Sequence, residues 1–229
     1  MRHAIILVFL SLGACTSTLV DYEARVHVVQ SGETLYTIAW RHGVDYRSLA
    51  AWNDLRNPDL IFAGQRLVLR PAATAARAPA SARAPATTTP ATRPAARVPE
   101  PPLLPPPRWQ WPTRGPVVSS YGSRAGIASG IGIGGRAGQA VNAAAAGRVV
   151  YAGSGLIGYG QLLIIKHNDT YLTAYGHNSR LLVAQGQDVR RGEKIAEMGL
   201  SPQREARLHF EIRRNGVPVD PLPLLGSPG

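Results

Sequence analysis

The sequence has only one cysteine, Cys15, among 229 residues, so an intramolecular disulfide is impossible and cysteine usage says nothing about redox compartment. Aromatic residues are sparse at 7%, and no stretch interleaves them with basic residues as nucleic-acid binders do, so no nucleic-acid partner is expected. No apolar run approaches the roughly 20 residues needed to cross a bilayer. Nor does any long amphipathic helical pattern occur. Acidic residues number 14 against 25 basic ones, nearly all arginine, giving a net charge of +11. Residues 22–71 carry about +1 of it, 72–108 about +4 and the remainder about +6. That balance favours an anionic surround such as cell wall or phospholipid.

With 24 glycines and 19 prolines, the chain has room for two modest domains joined by flexible material rather than one large core. Met1-Arg2-His3 is a short positive start. The apolar run Ala4 to Leu10 follows it, then Leu12-Gly13-Ala14-Cys15, which together form a secretory signal over residues 1–14. The small residues ahead of Cys15 resemble a bacterial lipobox, which implies cleavage before Cys15, lipidation of that residue and a short lipidated tether over 15–24. Thr16 instead of Asp after the cysteine suggests sorting to the outer membrane, facing the periplasm.

Residues 25–70 read as strand, helix, helix, strand. Arg25 to Val29 alternates, Thr34 or Ser31 caps a helix carrying Leu35, Ile38 and Ala39, and a second helix starts near Tyr46. Ala63-Gly64-Gln65 then turns the chain into Arg66 to Leu69. The stretch Val28-Val29-Gln30-Ser31-Gly32-Glu33-Thr34-Leu35, with Asn53, Asp59-Leu60-Ile61 and Gly64-Gln65-Arg66-Leu67, closely resembles a LysM module. That resemblance implies binding of the N-acetylglucosamine-containing glycan of peptidoglycan in a shallow groove between Gly32, Glu33, Thr34, Leu35 and Asp59, Leu60, Ile61. His27 and His42 lack partners at metal spacing and are satisfied residues rather than ligands.

Residues 71–108 are rich in Ala, Pro, Thr and Arg, with hardly a larger apolar residue before Val98, and cannot bury enough to fold. They are expected to act as a tether by length; a docking motif at Pro101 to Pro107 is the other reading of the same composition. From Trp109 to 229 the chain is strand-like and all-β. The expected strands are Pro116–Tyr121, Gly138–Val141, Arg148–Ala152, Leu162–His167, Tyr171–Tyr175, parts of Val183–Val189 and Gly192–Ala196, and Leu208–Ile212. Asn168-Asp169 marks a hairpin that would leave His167 at the surface.

Three pieces of this region, Ser129-Gly130-Ile131-Gly132-Ile133, Tyr175-Gly176-His177 and Arg207-Leu208-His209-Phe210-Glu211, resemble the zinc-binding core of the LytM-type (M23) peptidoglycan endopeptidases, with its spacing. The resemblance implies an open, sandwich-like sheet with a groove at His177 and His209. In that family His-x-Gly-Ile-Asp, Tyr-x-His and His-Leu-His-Phe-Glu supply three zinc ligands and two assisting histidines. Here Ala128 and Gly132 occupy two ligand positions, Arg207 an assisting one, and only His209 and His177 are kept. A catalytic zinc needs three protein ligands, so neither metal nor cofactor is expected. Alternation sends Arg207, His209 and Glu211 to one face and Leu208 and Phe210 to the core. Arg207 either offers its guanidinium to a partner's carboxylate or pairs with Glu211.

The variant Arg-Leu-His-Phe-Glu, with Gly158-Tyr159-Gly160, Ile164-Ile165-Lys166-His167-Asn168-Asp169 and Ala174-Tyr175-Gly176-His177-Asn178, resembles the NlpD-type murein hydrolase activators over nearly the whole chain. It implies a non-catalytic protein that switches on a periplasmic N-acetylmuramoyl-L-alanine amidase during septal peptidoglycan splitting. Its partner would dock in the emptied groove around Tyr175, His177, Arg207, His209 and Glu211. A plain peptidoglycan-binding lipoprotein and a zinc endopeptidase are the competing readings, the second opposed by the ligand count.

Overall fold

The computed structural model describes residues 26–69, 103–123 and 128–227. Cys15, the signal segment and most of the tether lie outside them. The first unit is β1 (Val26–Val28), α1 (Leu35–His42), α2 (Tyr46–Trp52) and β2 (Arg66–Val68), with β1 antiparallel to β2. Of the two expected caps for α1, Thr34 is the one used. Its hydroxyl accepts the Thr37 amide at 3.1 Å while Thr37 Oγ1 accepts the Thr34 amide at 3.0 Å, satisfying two orphan donors reciprocally. Gly43 closes the helix in the left-handed conformation at φ 64°. Asp45 caps α2, and Asn53 at its end ties the helix to β2, accepting the Val68 amide at 2.6 Å and donating to the Val68 and Leu49 carbonyls.

The second unit is built from β3 (Val117–Ser119), β4 (Ile131–Gly134), β5 (Ala140–Asn142), β6 (Gly147–Gly153), β7 (Gln161–Lys166), β8 (Tyr171–Leu181), β9 (Asp188–Val189), β10 (Lys194–Met198), β11 (Arg207–Arg214), β12 (Val217–Val219) and a single turn of helix, α3 (Leu222–Leu225). The strands form one ten-stranded antiparallel sheet running β3-β4-β11-β8-β7-β6-β9, with β12 on β11 and β10 joining β5 to β8. Its inner face holds Ile131, Ile133, Leu163, Ile165, Tyr175, Leu208, Phe210 and Ile212.

The other face is covered by the first unit. Val150, Leu162, Ile164, Leu172 and Ala174 share a continuous core with Leu35, Tyr36, Ile38, Trp40, Tyr46 and Leu49. The module thus packs directly on the sheet in addition to the chain that links the two units. Polar contacts surround the apolar seam. Tyr46 Oη donates to Asp169 at 3.0 Å, Arg47 Nη2 donates to Asn215 Oδ1 at 2.7 Å, and Lys166 Nζ lies 5.0 Å from the Tyr46 ring centre. The Asn215-Gly216 turn abuts Val44 and Asp45 so closely that a Cβ on Gly216, itself at φ +76°, would meet the Val44 carbonyl oxygen at 2.6 Å.

The described end of the tether is also engaged. The Leu104 amide donates to Thr170 Oγ1 at 2.9 Å, and Asn168 Nδ2 donates to the Pro105 carbonyl at 3.3 Å. His167 is half-buried instead of lying at the hairpin surface. Its ring nitrogens bond the Ala146 carbonyl and Thr173 Oγ1, each at 2.8 Å, and Trp109 stands edge-on at 5.1 Å.

Candidate functional site: a buried carboxylate cluster on the sheet

The site grows from β11. His209, Glu211 and Arg213 pair across from Gly176, Ala174 and Leu172 of β8, so their side chains rise on the face that carries the first unit while Leu208, Phe210 and Ile212 enter the inner core. Glu211 is fully buried. Ser129 Oγ donates to Oε1 at 2.6 Å, Tyr159 Oη at 2.7 Å and His209 Nε2 at 2.9 Å, while Arg213 Nε donates to Oε2 at 3.1 Å. Burial alone would raise its pKa, but the bond from His209 and the charge of Arg213 outweigh that, and the carboxyl sits below its ordinary value. Arg213 then reaches out of the sheet: its guanidinium stacks 3.5 Å from the Trp40 ring centre and Nη1 donates to the Trp40 carbonyl at 3.0 Å.

The groove expected over His177 and His209 is filled. The segment 154–160 between β6 and β7 folds back, and the Tyr159 ring stands edge-on to His209 at 5.5 Å. The Tyr159 carbonyl accepts the His177 amide at 2.7 Å and the Gly158 carbonyl accepts His177 Nε2 at 3.1 Å. His177 is held at φ +61°, an uncommon conformation for a residue with a side chain. Burial first, then the charges of His209 and Arg207, bring its pKa down to about 4 against the opposing bond to Gly158. His177 Nδ1 is buried without a hydrogen-bond partner.

Of the five residues expected in the groove, His177, Arg207, His209 and Glu211 lie on or beside this face and are all buried. Tyr175 does not join them. It lies on the inner face against Phe210, 5.4 Å between ring centres, with the Ala144 amide donating to its hydroxyl oxygen, because alternation along β8 turns it away from Ala174 and Gly176. Arg207 pairs with neither a groove nor Glu211; Nη2 donates to Gln203 Oε1 at 2.8 Å and Nη1 lies 3.6 Å from Glu205. Glu211 instead takes Arg213, two residues further along the same face. Sequence reasoning missed Tyr159, Arg213 and Trp40 as members of this cluster. The Gly158-Tyr159-Gly160 triplet was the available signal for the first.

The residues present do not fit the zinc of the related peptidases. Ala128 and Gly132 offer no donor, His209 Nε2 is committed to Glu211, and no group of three or more His, Cys, Asp or Glu placed to hold a metal occurs among the described residues. A Cβ on Gly132 would also lie 3.1 Å from that of Ser119, its cross-strand partner on β3.

In the first unit, Gly32, Asp59 and Leu60 are exposed and Ile61 is half-buried. Glu33 accepts the Gln30 amide at 2.9 Å, His27 Nε2 at 2.6 Å and the Arg41 guanidinium. Leu35 is fully buried in the module core, so its side chain is a packing residue and not a groove contact. No helix among the described residues is long and apolar enough to cross a membrane.

Family models match both units: the LysM domain over residues 27–70 and peptidase family M23 over residues 126–221. A lipoprotein NlpD/LppB homolog of Pseudomonas aeruginosa is 42% identical, covering 87% of this chain and 76% of the relative. The uncharacterized lipoprotein YgeR of Escherichia coli is 38% identical, over 95% and 87%. The murein hydrolase activator NlpD of Escherichia coli is 37% identical, over 88% and 68%. With a LysM module packed on an M23-like sheet in which Ala128 and Gly132 stand at two of the expected ligand positions, the chain belongs to the NlpD-type murein hydrolase activators.

Proposed function

We propose that this protein is a non-catalytic activator of a periplasmic N-acetylmuramoyl-L-alanine amidase, acting where septal peptidoglycan is split. In this reading it is anchored through Cys15 in the outer membrane and bound to glycan through Gly32, Glu33, Thr34, Asp59, Leu60 and Ile61. The observation that carries the reading is the rebuilt site. Ala128 and Gly132 stand at two ligand positions, His209 is bonded to Glu211 and His177 Nε2 to the Gly158 carbonyl, and exposed aliphatic side chains lie close by.

Two such side chains flank His177. Ile157 is 100% exposed on the segment whose Gly158 carbonyl bonds the His177 ring. Leu200 is 50% exposed next to Gly199, whose amide donates to the His177 carbonyl at 2.8 Å. Exposed aliphatic side chains beside a closed polar cluster suit the apolar stripe of a partner helix. Binding of the soluble chain, residues 16–229, to a purified amidase of this class tests the assignment. The double variant Ile157→Asp, Leu200→Asp should keep the fold and lower affinity at least tenfold; unchanged affinity would move the interface elsewhere.

A further inference from the structure

The seam between the two units runs into the site itself. Trp40 Nε1 of α1 donates to Tyr159 Oη at 3.3 Å, and the same hydroxyl donates to Glu211. Arg41 Nη2, one residue on, reaches the Gly155 carbonyl at 3.5 Å. Leu156 is buried in the core that the two units share. Segment 154–160 is thus held from below by Glu211 and from the side by α1, while its own ties within the sheet are few: the Gly155 amide to Tyr151 Oη, and the bonds of Gly158 and Tyr159 to His177. Gly155, Gly158 and Gly160 leave it free to take other conformations, with Gly158 at φ +89° and Gly160 at φ +61°.

The other ends of the same side chains touch the glycan-binding loops. Arg41 bonds Glu33, which lies in the loop before α1. Tyr36 packs against Tyr46 at 4.6 Å between ring centres at the seam, and burial, helped by the negative charge of Asp59 in the second loop, keeps its phenol protonated. A sugar that engages Glu33 through its amide and hydroxyl groups competes for the partner of Arg41, and one that engages Asp59 alters the charge facing Tyr36; Arg41 and Tyr36 both sit at the docking seam.

We infer that the LysM module is a latch: docked as seen, it holds segment 154–160 closed over the degenerate site, and glycan engaging the Glu33 and Asp59 loops loosens both the seam and the segment. Coupling of this kind is reciprocal, so the closed form binds glycan more weakly than the undocked one. The inference rests on the activator reading for its purpose but not for its mechanics. An amidase partner would reach the exposed Ile157 in either form and engage the rest of the segment more tightly once glycan has released it.

Amide hydrogen exchange of residues 154–160 in the soluble chain, with and without the N-acetylglucosamine tetramer, tests the latch. Saturating tetramer should speed exchange of the segment at least tenfold. The variant Asp169→Arg, Asn215→Lys, which alters only turn residues of the sheet domain and sets cations against Arg47, should do the same without sugar. Unchanged protection of the segment in either case overturns the latch, as does failure of the tetramer to perturb the amides of residues 31–34 and 58–61. Dye release from labelled sacculi by the amidase separates the two ideas. Opening of the segment without any gain in stimulation sinks the activator reading and leaves the latch standing, while stimulation with a segment that never opens does the reverse.

Discussion

Glu211 stays ionised at zero exposure because four donors surround it, one of them the Arg213 guanidinium. Removing Arg213 leaves that charge without its cation, a change that costs about 3–5 kcal/mol when one partner of a buried pair is deleted. Arg213→Ala should therefore lower the urea midpoint of the soluble chain by an amount equivalent to that loss, and a drop under about 1 kcal/mol would mean the carboxyl is not held as described. The pH dependence follows from the direction of the shift. A carboxyl depressed in the folded state contributes stability that is complete above its unfolded value near about 4.3 and is lost as pH falls through the lower folded value. Glu211→Gln should thus flatten the fall of stability below about pH 4 by up to one proton; an unchanged slope would assign the acid lability to Glu33 and Asp169, whose carboxyls are also depressed.

At the scale of elements, the LysM helices and strands were legible to within a residue or two, because capping and periodicity act locally. Thr34 is where the two signals meet, and Thr34→Ala should cost about 1 kcal/mol in the thermal or urea transition through loss of its capping bond; no change would mean the helix start is held by packing alone. The sheet strands were mostly found, but β8 runs six residues beyond the expected Tyr175, and β4, written Ile-Gly-Ile-Gly, gave too little β-branched pattern to be read as a strand. The site was legible as a motif and not as a surface. Alternation placed Arg207, His209 and Glu211 on one face, yet it could not say that a loop from between β6 and β7 would lie on that face, since this is a tertiary contact of residues far apart in sequence. One trace was present. Leu162-Leu163-Ile164-Ile165 is apolar on both sides of β7, as a strand covered on both faces must be.

For the molecule as a whole, the shared core of Trp40, Tyr46, Leu162, Ile164 and Leu172 predicts that the LysM module and the M23-like domain unfold together. The soluble chain should show one urea transition by far-ultraviolet circular dichroism and by tryptophan fluorescence, with coincident midpoints. Two separated transitions would return the module to an independent body on a tether. The same packing sets a LysM module against an M23-like domain with Ala128 and Gly132 at two expected ligand positions, and the proposed role of activating another enzyme rests on that arrangement. Dye release from labelled sacculi reads that claim most directly, comparing the soluble chain alone, an N-acetylmuramoyl-L-alanine amidase alone and the two together, with and without added zinc. No release by the chain alone under either condition, and at least a tenfold gain over the amidase when both are present, is the result predicted. Zinc-dependent release by the chain alone that disappears in His209→Ala would contradict it.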